Sequence, residues 1–247
     1  MNNVLTFRQD YREDLPLPNG GSMRLRLAGP GDRDALVAAF EQLSSESRFH
    51  RWLYVKRSFT EEELAEILAP ENEDHVAIVA VELGPEGEEV SGVGMARFVR
   101  VPEDPESAEI AITIVDAWQG LGIGRILLHR LLAAMSERGI PRAVGRLHVN
   151  NHRMRRLLGP YVPEENFHRE DATLVFHMPV PERDDPIMAQ LARNAAGVVR
   201  MFRLAAQGML LDPLKAAERQ LESLAPKAVL EQLRRRTGED RRKPSSR

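Results

Sequence analysis

The chain has 247 residues, of which 43% are hydrophobic and 29% charged, a composition typical of a soluble globular protein with a sizeable core. It contains no cysteine, which excludes disulfides, thiolate zinc sites and a covalent acyl-cysteine intermediate. The sequence shows neither the apolar core of a signal peptide nor the apolar stretch of about 18 residues that spans a membrane, so we expect a cytoplasmic protein without membrane contact.

The formal net charge of −3 is unevenly distributed, because the first 100 residues are acidic and residues 181–247 are basic. An acidic front half would attract a cationic amine, although an ordinary solvated surface is the simpler explanation. The basic end carries one aromatic residue, Phe202, and no metal-finger pattern, so we do not expect nucleic-acid binding. The 7 histidines show no ligand spacing, and we expect no metal.

The first half of the chain predicts an arm, two helices and four strands. Residues 1–21 predict an N-terminal arm that ends in an Asn-Gly-Gly turn. A strand at residues 23–27 precedes a helix with Asp32 as its N-cap, and Thr60 with Glu63 forms a capping box for the next helix. Three consecutive strands then predict an antiparallel meander, at residues 76–83, 90–99 and 108–115.

After the meander the pattern alternates between helix and strand. A helix from Ile123 ends at Gly139, and a strand, a short helix and a last strand follow at residues 142–149, 151–158 and 173–178. We therefore predict an α+β domain over residues 22–180.

Residues 183–236 predict an amphipathic helical appendage, because apolar side chains recur there at spacings of three and four. This appendage would pack on the domain, pair two subunits as a homodimer or form a lid. Residues 237–247 are a polar tail.

The most informative segment joins the third meander strand to the following helix. It carries glycines at alternate positions, Gly120, Gly122 and Gly124, directly before the helix. Glycine allows a ligand to approach the backbone closely, and the free N–H groups at a helix start bind anions. Arg125 adds a positive charge there, so the turn predicts a diphosphate site. Its spacing differs from the G-x-G-x-x-G of dinucleotide folds, and the Gly-Lys-Ser/Thr of a P-loop is absent.

With its leading glutamine, the segment Gln119-Gly120-Leu121-Gly122-Ile123-Gly124 resembles the Arg/Gln-x-x-Gly-x-Gly/Ala motif of the GNAT superfamily of N-acetyltransferases. The resemblance covers roughly residues 22–178 and implies the GNAT fold, a mixed, mostly antiparallel sheet of six to seven strands flanked by helices. It is greatest to the bacterial protein-lysine acetyltransferases of the Pat type, on the residues Ser44, Ser47, Arg51, Trp52, Asn151 and Met154.

The resemblance implies direct transfer of an acetyl group from acetyl-CoA to a primary amine. Glu109, the only acid among residues 108–115, matches the family's general base, with a surface glutamate as the alternative. Asn151 would reach the cofactor arm or cap a helix, and His50 and Arg51 would face the acceptor. The remaining cofactor contacts implied by the family are the backbone of Ile112, Thr113 and Ile114 and the turn formed by Gln119, Gly120, Leu121, Gly122, Ile123, Gly124 and Arg125.

Two positions depart from the family pattern. Leu158 stands where many relatives carry a tyrosine that protonates the leaving thiolate, and Tyr161 is out of register with that position. Leu121 replaces a common Arg or Lys in the glycine turn. Three functions remain open: acetylation of protein lysines, acetylation of a small amine, and an acyl-CoA sensor without turnover. The intact glycine turn together with Glu109 speaks against the sensor.

Overall fold

The computed structural model describes residues 6–17 and 21–181. They form an eight-stranded sheet in the order β1-β2-β3-β4-β5-β6-β8-β7, in which only β5 and β6 are parallel neighbours. Its strands are β1 (Arg12–Pro16), β2 (Ser22–Leu27), β3 (His75–Leu83), β4 (Glu89–Val101), β5 (Asp104–Ile114), β6 (Arg142–His148), β7 (Phe167–Glu170) and β8 (Thr173–Pro179). The predicted appendage at residues 183–236, the homodimer assigned to it and the tail at residues 237–247 lie outside the described residues.

Five α-helices flank the sheet on its two faces. They are α1 (Arg33–Glu41), α2 (Ser45–Trp52), α3 (Glu61–Ile67), α4 (Ile123–Glu137) and α5 (His152–Leu158). None of the helices within the described ranges is long and apolar enough to cross a membrane.

Strand β3 shows how the two layers of helices share the sheet. Val76 and Ile78 belong to the larger core, which includes the buried side of α4, whereas Ala77 and Val79 pack in a smaller cluster with Leu36 of α1. Successive side chains of a strand point to opposite faces, so α4 covers one face and α1 the other. A strand buried on both faces explains the nearly continuous apolar run that predicted it.

Helix α1 lies very close to the sheet at Gly92 of β4. A Cβ atom at this position would lie 2.9 Å from the Cβ of Ala39, which is too close for any side chain. The small residues on both sides therefore set the height of α1 above the sheet, and with it the depth of the space between them.

The sheet has eight strands instead of six or seven, because two short strands carry weak sequence signals. The segment predicted as an arm contributes β1, which is corrected here: Leu15 and Leu17 are buried, and Glu13 binds Arg130 of α4 at 2.6 and 2.7 Å. The polar run that opens β1 hides its alternation. Strand β7 has only four residues.

Of the two predicted helix N-caps, the structure confirms the side-chain bonds of one and not of the other. The capping box is confirmed, since Glu63 N donates to Thr60 Oγ1 at 3.2 Å and Thr60 N donates to Glu63 Oε2 at 2.8 Å. Asp32 stands at the N-cap of α1, but its side chain makes no capping bond. Its carboxylate instead accepts from Gly29 N and from the guanidinium of Arg26, because the ion pair outcompetes the helix N–H groups.

Candidate active site

Strands β5 and β6 separate partway along their length. Their parallel pairing covers only Ser107 to Glu109 on β5, opposite Arg142 to Val144 on β6. Beyond Glu109, β5 continues to Ile114 and β6 to His148 with no pairing between them. A gap therefore opens inside the sheet, and Glu109 lies at its closed end.

The backbone of β5 presents alternate residues to this gap. Val115 N donates to Val93 O of β4 at 3.0 Å, and Gln119 Nε2 donates to Ile114 O at 3.0 Å. Since backbone groups alternate in direction along a strand, those of Ile112 and Ile114 point toward the gap. The backbone of Thr113 is turned toward β4, so its predicted contact with a cofactor arm is not available in this arrangement.

The glycine turn lies at the open end of the gap. Gly120 and Gly122 have φ values of 80° and 82°, a left-handed conformation that favours glycine. Helix α4 follows at once, and Gly124 is its second residue. Within the described parts of the chain, the N–H groups of residues 120–124 donate to no other group. Unsatisfied N–H groups at a helix start, reinforced by the helix dipole, form an anion site.

Two arginines add positive charge to this turn. Arg125, in the first turn of α4, forms no ion pair with any residue of the described ranges. Arg153 of α5 donates to Gln119 Oε1, which brings a second guanidinium to the turn. Leu121 replaces the Arg or Lys that relatives often carry, and Arg153 supplies a cation nearby from a different helix.

Asp116 ties the glycine turn to helix α2. Its carboxylate accepts from Ser44 N at 3.0 Å, from Ser44 Oγ at 2.8 Å and from Ser47 Oγ at 2.9 Å. Gln119 Nε2 also donates to Ser47 Oγ at 3.2 Å. Burial opposes the charge of Asp116, but the hydrogen bonds from both serines outweigh it and hold the pKa of Asp116 below its ordinary value.

We expect Asp116→Asn to lower the free energy of unfolding at pH 7 by about 1 kcal/mol, because it weakens charge-assisted hydrogen bonds. The folded-state pKa is depressed, so this contribution is complete above the unfolded value of about 3.9 and is lost as the pH falls through the folded value. The difference between wild type and variant in urea unfolding should therefore shrink as the pH falls below about 3.9. Asp34→Asn, at a fully exposed side chain of α1, is the control and should change little at any pH. A constant difference across pH would contradict the assignment.

Glu109 faces the layer of α1, α2 and α3. Glu109, Ala111 and Thr113 alternate along β5 on one face, and the latter two line a pocket of about 790 Å³ that includes its open mouth. Glu109 is exposed to solvent. Its charge acts on the guanidiniums of Arg51 and Arg97, which line the same pocket. The predicted base and the predicted acceptor residue Arg51 are therefore brought together.

His50 lies at the opposite wall of the gap. Its ring stacks on His148, the last residue of β6, with centroids 6.2 Å apart and an interplanar angle of 28°. Phe49 packs edge-on against the same histidine at 5.1 Å. Through these rings α2 reaches from the pocket lined by Arg51 to the end of β6, the strand across the gap from β5.

A comparison with known proteins agrees with this geometry. The family model described as an acetyltransferase (GNAT) domain matches residues 23–159. The chain belongs to the GNAT acetyltransferase family. Acetyltransferase Pat of Mycolicibacterium smegmatis is 31% identical over 136 residues, which are 54% of this chain and 39% of that protein. The GNAT domain of S. lividans PAT is 25% identical with a TM-score of 0.58, over 68% of this chain and 96% of that one.

These comparisons confirm the predicted GNAT fold and the resemblance to Pat-type proteins. The chain spans 39% of the length of the curated relative it matches.

Helix α5 and the segment after it hold three residues, Asn151, Leu158 and Tyr161, whose contacts are structural. Asn151 Oδ1 accepts from Met154 N at 3.0 Å, so its side chain caps α5. Leu158 is fully buried in the core. Tyr161 binds His129 of α4 through an O–N distance of 2.6 Å, and burial raises the pKa of Tyr161 to about 12. Its hydroxyl is engaged in the core of the GNAT domain.

We expect Tyr161→Phe to lower stability by about 1–2 kcal/mol, because it removes one partner of a hydrogen bond to a buried histidine. Its effect on kcat should stay below about ten-fold, since a thiolate with a pKa near 8.5 leaves without an acid. Urea unfolding and steady-state kinetics measure the two effects. A fall in kcat of more than about 100-fold at unchanged stability would instead identify Tyr161 as the general acid.

Sequence reasoning missed three residues of this site. Arg97 was overlooked because a single arginine in an apolar strand carries no motif. Asp116 and Arg153 act through contacts between segments 69 and 34 residues apart along the chain. The Ser-x-x-Ser pattern was the available signal for Asp116, since paired hydroxyls near a helix start indicate an acceptor that they share.

Proposed function

We propose that this GNAT domain binds acetyl-CoA and transfers the acetyl group directly to a primary amine, with lysine side chains of a protein as acceptors. The observation that carries the proposal is the row of free N–H groups at residues 120–124, placed at the open end of a gap whose closed end holds Glu109. Binding and catalytic groups thus lie at the two ends of one channel.

The residues present fit the coenzyme. A diphosphate would be held by the N–H groups of the turn, with Arg125 and Arg153 to balance its charge. The amide-bearing arm would pair with the backbone groups of Ile112 and Ile114 that face the gap, in the manner of an added strand. A Cβ atom at Gly120 would meet no atom within 4 Å, so the space above the turn is open.

Glu109 would act as the general base. A lysine amine has a pKa of about 10.4 and is protonated at neutral pH, so it must lose a proton before it can attack. The carboxylate of Glu109 accepts that proton, directly or through one water molecule. Bound acetyl-CoA would supply the thioester carbonyl that the amine attacks. The Ile112 N–H, directed into the gap, would stabilise negative charge that develops on that carbonyl oxygen.

Protein lysines are proposed as acceptors because the resemblance is to Pat-type proteins and because Glu109, whose charge acts on the pocket arginines Arg51 and Arg97, is exposed to solvent. Release of free CoA from acetyl-CoA should require both the protein and an amine, and E109Q should slow it by about 10²–10⁴-fold. Comparison of acetyl-lysine across the proteome of cells with and without the protein identifies the acceptor class. Release of CoA with small amines but not with proteins would favour acetylation of a small amine. No release with any amine would leave only an acyl-CoA sensor without turnover.

A further inference from the structure

The pocket beside Glu109 contains two arginines with no ionic partner of their own. Arg51 comes from α2 and Arg97 from β4, and the rest of the lining is largely apolar, with aromatic rings from Phe40, Trp52 and Phe59. None of the ion pairs or side-chain hydrogen bonds within the described ranges includes either guanidinium. The guanidinium of Arg51 instead lies 5.1 Å from the ring of Trp52.

Carboxylates act on the two arginines only from a distance. Glu109 favours the charge of both, and Glu66 of α3 favours that of Arg97. Desolvation outweighs these attractions: it lowers the pKa of Arg51 to about 10, with a further contribution from Arg97, and it lowers the pKa of Arg97 as well. Arg51 stays charged at neutral pH, because its pKa still lies well above 7.

Two neighbouring cations that are partly shielded from water are costly unless an anion compensates them. Elsewhere in the described structure, most of the partly buried arginines have such partners, as Arg26 has with Asp32 and Arg130 with Glu13. In the same part of the chain, Arg48 and Arg138 also lack an ion pair, but their guanidiniums donate to backbone carbonyls. Arg51 and Arg97 have neither kind of partner among the described residues, and they lie where an acceptor would enter, next to the proposed base. A ligand can supply there the missing negative charge.

We propose that Arg51 and Arg97 bind a carboxylate carried by the acceptor, so that the preferred amine has an acidic group close to it. This inference rests on the proposed function, since it specifies the substrate of the same site. A planar carboxylate matches the fork of a guanidinium. The remaining charged group of the lining, Asp32, is already paired with Arg26 and leaves both guanidiniums available.

Matched acceptors test the proposal and distinguish two sources of the carboxylate. Nα-acetyl-lysine and its amide differ only at the α-carboxylate, and two short peptides differ only in Glu or Gln beside the acceptor lysine. Wild type should prefer the acidic member of at least one pair by about ten-fold or more in kcat/KM, mainly through KM. R51Q and R97Q should reduce that preference to about two-fold. R169Q, on the edge strand β7, is the control and should keep it.

The charge-preserving variant R97K should retain part of the preference, and it serves if R97Q folds poorly. Equal kcat/KM on acidic and neutral acceptors in wild type would overturn the inference, as would R51Q and R97Q slowing both members of each pair equally. If no acceptor releases CoA, the proposed function itself fails. Calorimetric titration of CoA-loaded protein with Nα-acetyl-lysine and with its amide then tests the arginine site independently of turnover. Tighter binding of the carboxylate than of the amide, lost in R97Q, would support the arginine site. Equal binding of the two compounds, or no binding of either, would overturn it.

Discussion

Replacing Glu109 with glutamine should lower kcat by about 10²–10⁴-fold while the affinity for acetyl-CoA stays near the wild-type value. Glutamine keeps the shape of the side chain but cannot accept a proton. Glu109 lies at the closed end of the gap and away from the glycine turn at residues 120–124, so the change leaves the diphosphate site intact. Single-turnover kinetics with saturating acetyl-CoA separates the chemical step from binding.

Glu106→Gln is the matched control for this experiment. Glu106 lies on the same strand and is also exposed, but its carboxylate pairs with Arg142 at 3.1 Å. It should retain nearly full kcat. Unchanged turnover in E109Q would show that Glu109 is not the base. An equal loss of turnover in both variants would show that any substitution on this strand disturbs the structure, and it would also contradict the assignment.

Gly122→Ala should weaken CoA binding by about ten-fold and have little effect on the chemical step once the cofactor is bound. Gly122 has a φ of 82°, and an L-residue held there costs about 1–2 kcal/mol. The turn can relieve this strain by rotating, which moves the free N–H groups out of line with the diphosphate. Calorimetric titration with CoA measures the loss.

Gly87→Ala is the control that separates the effect of backbone strain from the loss of the proposed diphosphate site. Gly87 lies in the turn between β3 and β4 with a φ of 83°, and a Cβ atom there would meet nothing within 4 Å. It should lose as much stability as Gly122→Ala and bind CoA normally. If CoA affinity is the same in both variants, the diphosphate does not bind at the glycine turn.

Local features of this chain could be predicted from sequence, and features that depend on distant contacts could not. The capping box at Thr60 and the glycine turn are encoded within a few neighbouring residues, so their patterns are visible in the chain. Strand β1 was missed because its polar residues obtain their partners from elsewhere, such as Arg130 for Glu13. Helix α2 was not predicted because residues 45–52 are mostly polar, and only Phe49 and Trp52 mark an apolar side of the helix.

The candidate site divides in the same way. Glu109 and the turn could be proposed because a family motif names them. The backbone of Thr113 faces β4 because of the register between β4 and β5, and no local sequence pattern specifies that register. The capping role of Asn151 remained one of two alternatives, because the same asparagine fits a cap and a ligand. Arg97 becomes significant only beside Arg51, and the fold alone brings these two residues together.

The separation of β5 from β6 gives this sheet an edge in its interior. Edge strands can pair with other chains and promote aggregation, and proteins commonly protect them with charges, prolines or bulges. Residues 110–114 read Ile-Ala-Ile-Thr-Ile and contain neither a charge nor a proline. Such protection would obstruct the cofactor arm that these backbone groups are proposed to bind. A ligand-free chain therefore carries a short aggregation-prone segment at its centre, and occupancy by the coenzyme would protect the protein's solubility as well as serve its chemistry.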